Sequence, residues 1–363
     1  MTDAKITTIE QLHAYLYAAL QLEHATIPPY LTALYSLRNE SNSPAWRILR
    51  VVVVEEMLHL SLAANVMNAV GGTPDLTAPD FVPDYPACLP DGEDDFAVDI
   101  QSFSAAAVDT FLMIERPAQA PRAELRLVPR GASARHLLAA SPTAPGMQYY
   151  SIGEFYAEIS RGLRYLSDEY AREGRELFTG DRRRQVTPEF FYSGGGEPIV
   201  VTGLESALRA VDFIAGQGEG LGGGIYDAGN ELAHYYRFEQ LKAGRYYQKG
   251  DQPGRPTGPA LWVDWGNVYP VLKNAGLDDY PTGSELRRVA HEFNETYAGF
   301  LRFLTKAFTG QPELLLEAVP QMFRLRDDIR RLIRNPIPGR DGVHAAPTFE
   351  MPGVAGSAAG STA

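Results

Sequence analysis

The sequence predicts an all-α protein, a four-helix bundle with a long crossover insertion and an additional C-terminal helical hairpin. Three observations lead there. Two apolar stripes near the N-terminus repeat at helical spacing, each long enough for a helix of roughly 40 Å at ~1.5 Å rise per residue. A proline- and acid-rich stretch then separates them from a second set of helical patterns, as a bundle with a long crossover requires. Finally, the spacing Glu-x-x-His occurs twice, at Glu56/His59 and Glu231/His234.

Thr7-Thr-Ile-Glu10 has the form of a capping box at a helix start. From there Leu12, Leu16, Ala19, Leu20, Glu23 and Ile27 share one face, which places Glu23 on the inner side of the first helix. Pro28-Pro29 should kink it before the pattern resumes through Leu31, Leu34 and Leu37. Ser43-Pro44 reads as the start of the second helix and Gly71-Gly72 as its end. Its stripe (Ile48, Val52, Leu60, Ala63, Met67) contains Glu56 and His59. From Thr73 to about Tyr150 prolines are frequent and acids cluster at Asp91–Asp95, so one helix near Ala105–Glu115 is expected within a surface excursion. A third helix should begin near Ser151, with Glu154 and Glu158 one turn apart on its flank. A short amphipathic helix through Leu204, Leu208, Val211 and Ile214 should end in the glycines around Glu219. The fourth helix is expected over Asp227 to about Ala243, then a hairpin over Ser284–Phe308 and Pro312–Arg334. The domain reading is therefore 1–250 for the bundle with its insertion at 74–150, 251–335 for an accessory hairpin, and 336–363 for an extended or disordered tail.

Lys and Arg number 33 against 45 Asp and Glu, a formal charge of −12. That balance argues against nucleic acid or an anionic membrane surface as partner, and leaves a small-molecule substrate, with a homo-oligomer open. The single cysteine, Cys88, rules out an intrachain disulfide framework. With no signal-peptide plan at Met1-Thr-Asp-Ala-Lys and no apolar run of membrane-spanning length, a cytoplasmic location is expected.

An ionisable pair such as Glu56 and His59 on a buried helix face costs several kcal/mol unless something neutralises it. One Glu-x-x-His is weak evidence, because most such histidines are satisfied by a hydrogen bond in the core. Two, each preceded by a helix with an inward carboxylate, match a two-metal site in a four-helix bundle. The ligands read from the residues are Glu23, Glu56, His59, Glu154 or Glu158, Glu231 and His234. Two divalent ions balance four carboxylates. Iron or manganese suits mixed oxygen and imidazole ligands, with zinc and copper compatible by ligand type, and iron is the expected metal. Tyr30 and Tyr235 compete between lining a substrate pocket and packing in the core. Arg237, three residues after His234, competes between supporting a ligand and lying on a solvated face.

The stretches Gln21-Leu-Glu-His-Ala-Thr-Ile-Pro-Pro-Tyr30, Glu55-Glu-Met-Leu-His59, Ile152-Gly-Glu-Phe-Tyr156, Gln217-Gly-Glu-Gly220 and His234-Tyr-Tyr-Arg-Phe238 resemble the ferritin-like domain of the iminophenyl-pyruvate dimer synthases. That family acts in violacein and indolocarbazole biosynthesis. The resemblance runs from about Ile9 to Glu350 and implies a ferritin-like four-helix bundle, here expected as a stand-alone chain although the family's proteins are usually much longer. It implies Glu154 rather than Glu158 as the third-helix ligand, whereas the periodicity leans toward Glu158. It also singles out Glu219 as a replacement for, or addition to, Glu231. The function expected is a dimetal, di-iron oxidoreductase using dioxygen or peroxide on a small, amino-acid-derived substrate in secondary metabolism. The alternative is a non-enzymatic metal-binding or scaffold protein with the same fold.

Overall fold

The computed structural model describes residues 5–90, 96–118, 149–192 and 194–352. The two long N-terminal helices are α1 (Ile9–Ser36) and α2 (Asn39–Ala69). The box that starts α1 lies one residue later than the sequence suggests. Thr8 accepts from the Gln11 amide, and the Gln11 side chain accepts from the Thr8 amide at 3.0 Å. Such a cap stabilises a helix by ~1 kcal/mol. Pro28 and Pro29 sit inside a helix that continues past them, and the Thr32 hydroxyl donates to the Pro28 carbonyl at 2.9 Å. In α2 the backbone leaves helical geometry at Asn42 (φ −110°, ψ 22°) and restarts at Ser43-Pro44. Asn42 is held there by Asp264, whose amide donates to it and whose carbonyl accepts from it, both at 2.9 Å.

Beyond the crossover run α3 (Ala105–Ile114), α4 (Ile152–Arg172), α5 (Leu204–Glu219) and α6 (His234–Ala243), followed by α7 (Glu285–Phe308) and α8 (Leu314–Ile333). Among the described residues there is no strand, only isolated bridges. The packing corrects one expectation. α1 packs on α2, α4 on α5, α1 on α4 and α2 on α5, so the fourth helix of the bundle is α5 and not the segment from Asp227 to Ala243. α6 instead pairs with α3, and this short pair closes one side of the bundle against α2 and α5. The hairpin α7/α8 packs on α1 and α2.

The main core cluster runs from Leu12, Leu16 and Leu20 through Val52, Leu60 and Ala63 to Phe155, Ile159 and Leu163, and on into α7 at Phe293 and Leu301, with a small second cluster around Ile225, Ala233 and Tyr236. Each fully buried large apolar side chain contributes ~1.5–3 kcal/mol, so the bundle does not depend on its polar interior for its existence. α4 approaches α5 closely at Gly153, where an added Cβ would fall 1.6 Å from a Glu219 carboxylate oxygen. Residues 336–352 contain no helix and pack on the rest of the chain: Ile337, Ala345, Ala346 and Phe349 are buried, and the His344 amide donates to the Pro270 carbonyl at 2.8 Å. The remainder of the expected disordered tail, 353–363, lies outside the described residues. No helix among the described residues is long and apolar enough to cross a membrane.

Candidate metal centre

Five buried side chains converge where the α3/α6 pair meets the bundle. Glu23, Glu56 and His59 present ligand atoms within 4.8 Å of one another, and so do Glu56, Glu115 and His234. Glu56 belongs to both groups, which makes two adjacent pockets with one shared carboxylate. In the first pocket His59 Nδ1 lies 3.2 Å from Glu23 Oε2 and 3.8 Å from Glu56 Oε2. In the second, His234 Nδ1 lies 3.0 Å from Glu56 Oε1 and 3.6 Å from Glu115 Oε2. The two imidazoles face each other, ring centroids 5.4 Å apart.

Each ligand is aimed by a neighbour. The Tyr156 hydroxyl donates to Glu23 at 2.5 Å, and the Tyr30 hydroxyl donates to Glu115 at 2.7 Å. Thr26 donates to Glu56 at 3.2 Å. His59 Nε2–H donates to Gln217 Oε1 at 2.9 Å, and His234 Nε2–H donates to Glu55 Oε2 at the same distance. The oxygen partners fix which nitrogen carries the proton, leaving both Nδ1 atoms as lone-pair donors toward the pockets. Gly195 serves both supports. Its carbonyl accepts from Gln217 Nε2 at 3.0 Å, and its Cα, at φ +86°, lies where a side chain would meet Glu55 Cγ at 2.5 Å.

The electrostatics are those of an acidic interior short of positive charge. Burial pushes Glu23 up to about 7, against the pull of His59. Glu115 is raised by burial and by the charge of Glu56. Burial opposes the ionised form of Glu56 too, but the imidazoles of His234 and His59 close beside it hold it well below the usual carboxylate range. For His59 burial disfavours the imidazolium, yet Glu23 and Glu56 outweigh that and raise it to about 10; Glu115, Glu55 and Glu56 raise His234 likewise. Protons thus stand where cations would. The fit to metal rests on a further atom: His234 Nδ1 is buried without a hydrogen-bond partner, although carboxylate oxygens surround it. An orphaned imidazole nitrogen among carboxylates is a donor set for a divalent ion of the first transition row.

Of the residues read from the sequence, the structure brings together Glu23, Glu56, His59 and His234, with Tyr30 and Arg237 beside them. It does not bring Glu154, Glu158, Glu219 or Glu231. Glu154 sits in the first turn of α4 and accepts from the Tyr150 amide at 3.0 Å, a capping role suited to the positive end of a helix. Glu158 accepts from the Ile6 amide and pairs with Arg161. Glu219 ends α5 and accepts from the Ala118 amide at 2.7 Å, with burial raising its pKa. Glu231 is exposed, because helix α6 begins only at His234. Asp227-Ala-Gly-Asn230 forms a turn, with Asn230 at φ 61° and the Glu231 amide donating to Asp227 at 2.7 Å, so the second Glu-x-x-His spans a turn rather than a helix face. Tyr235 packs on Tyr236 in the small cluster with Ile225 and Ala233.

Glu115, Tyr156, Gln217 and Glu55 were not among the sequence candidates. The signals were weak but present. Glu115 falls four residues after Phe111 and seven after Val108, and Gln217 three after Ile214, so both extend an apolar stripe.

A family model described as Ferritin-like matches residues 16–243. Dichlorochromopyrrolate synthase from Lentzea aerocolonigenes is 28% identical over 321 residues, covering 83% of this chain and 29% of that protein. The 2-imino-3-(indol-3-yl)propanoate dimerase of Chromobacterium violaceum is 24% identical over 360 residues, covering 89% of this chain and 30% of its own length. The chain thus spans under a third of the length of these curated relatives. A ferritin-like protein from Caulobacter vibrioides has the same fold, with a TM-score of 0.56 at 24% identity over 90% of this chain and 96% of that one.

Proposed function

The chain belongs to the ferritin-like family, and from that premise we propose that it is a dimetal carboxylate oxidoreductase, with iron as the metal, acting on a small amino-acid-derived molecule in specialised metabolism. The observation that supports this most is the pair of pockets sharing Glu56, each completed by one carboxylate and one imidazole whose Nδ1 faces inward. Glu23 and His59 would hold one ion, Glu115 and His234 the other, and Glu56 both. Three ligand carboxylates and Glu55 supply four negative charges, matched by two divalent cations.

Bound there, iron supplies redox chemistry toward dioxygen or peroxide. The chain's own residues set the conditions for it. Tyr156 and Tyr30 hold the outer carboxylates by their hydroxyl protons, and all five ligands are buried, which keeps bulk water from the centre. The names of the two relatives, dichlorochromopyrrolate synthase and 2-imino-3-(indol-3-yl)propanoate dimerase, favour a substrate derived from an amino acid.

Elemental analysis of protein purified without oxygen, with optical spectra before and after admitting air, tests the reading. Two irons per chain and an oxygen-dependent spectral change are expected. Two ions with a spectrum indifferent to air and to peroxide would replace the enzyme with a metal-binding scaffold. No tightly held ion would remove both.

A further inference from the structure

The two pockets match residue for residue except at one place. Each has an outer glutamate held by a buried tyrosine, Glu23 by Tyr156 and Glu115 by Tyr30. Each has a histidine that turns Nδ1 inward and donates from Nε2–H at 2.9 Å. They share Glu56. The difference is the acceptor behind the imidazole: the neutral amide oxygen of Gln217 behind His59, the carboxylate of Glu55 behind His234.

An imidazole that donates to a carboxylate is a stronger electron-pair donor at its other nitrogen than one that donates to an amide, because the partner's charge stabilises a more positive ring. Glu55 is also fixed in place. Arg237 Nη2 lies 3.6 Å from its second oxygen and Gly195 packs on its side chain. The orphaned nitrogen of the cluster, His234 Nδ1, belongs to the pocket with the stronger donor.

We infer that the pocket of Glu115 and His234 takes up its ion ahead of the pocket of Glu23 and His59, and that Glu55 is the positioning residue that sets this order. The inference rests on the two-ion reading above and adds to it a direction of loading. Loading in this order starts at the α3/α6 side and ends between the long helices.

Titration of the metal-free full chain with cobalt(II), followed by its visible absorption, tests the order without reference to activity. Wild type should take up two ions in two resolved steps. Glu55→Gln keeps the hydrogen-bond geometry but loses the charge, and should weaken the tighter step by about tenfold, the low end of what such outer partners contribute. Gln217→Glu should act in the opposite sense, tightening the weaker step until the two merge. A purely structural role for Glu55 would not predict that reciprocal change. Two ions bound with isotherms of all three proteins superimposed would overturn the order and leave the two-ion centre standing. Fewer than two ions bound by folded wild type would overturn the centre itself, and the order with it.

Discussion

One pocket is made from the middles of helices and the other from their ends. Glu23, Glu56 and His59 lie well inside α1 and α2, where more than two turns on either side fix their directions. Glu115 caps the last turn of α3 and His234 is the first residue of α6, two elements separated by the crossover and by a whole pair of bundle helices. Helix middles place side chains by regular geometry, whereas helix ends are free to fray and must be tied. The ties are visible. Tyr30 holds Glu115, Glu55 holds His234, and Glu219, which closes α5, grips the Ala118 amide just beyond α3. The same donor set is thus achieved once by repetition and once by a group of specific hydrogen bonds.

The comparison can be broken at its shared member. Glu56→Ala removes a ligand from both pockets, so binding should fall from two ions per chain to none, measured by equilibrium dialysis on protein whose helical content is checked by circular dichroism. Next come the two histidines. His59→Ala and His234→Ala should each leave one ion per chain, and if either loses both, the pockets are not separable as described.

A smaller and graded effect is expected from pH. His59 in the metal-free protein is raised to about 10 from an ordinary 6.5 by Glu23 and Glu56, against burial. A raised imidazole adds stability that is present in full below its unfolded value and is lost as pH climbs through the folded one. The melting temperature of metal-free protein should therefore fall between about pH 6.5 and 10, while ion binding, which must displace that proton, tightens over the same interval. A melting temperature that rises there would show His59 to be neutral.

The smallest effect is predicted for Glu231→Gln. Its carboxylate is exposed and 3.5 Å from Arg237, so metal content should be unchanged and stability altered by no more than about 0.5 kcal/mol. Loss of an ion in that variant would restore the second Glu-x-x-His as a ligand pair.

The difference between the pockets is also the difference between what could and could not be read in advance. α1 and α2 announce their ligands because an apolar stripe of constant period defines an inside, and Glu23, Glu56 and His59 fall on it. The helices of the bundle and of the C-terminal hairpin follow from the same periodicity, and the crossover from its interruption by prolines and clustered acids. His234 was found through the wrong motif. The spacing to Glu231 is that of one helix turn, but Asp227, Gly229 and Asn230 favour a turn, and that local chemistry overrides the spacing. Glu154 and Glu219 are carboxylates on bundle helices, yet backbone amides at helix ends satisfy them first. Glu115 stayed hidden because it belongs to a ten-residue helix in an apparent surface excursion, too short for its period to reveal which face it buries. In its place on α4 stands Tyr156, and on α5 Gln217, neither of which has the residue type that ligand spacing searches for.

Glu115 has one more consequence, because it rides on the connection and not on a rod. Without that connection's short α3 the second group of ligands would lose Glu115 and keep Glu56 and His234, while Glu23, Glu56 and His59 on the long helices would stay as they are. On the two-ion reading, a deletion that removes Glu115 is therefore expected to lower the number of ions bound per chain, with the ligands on the long helices untouched.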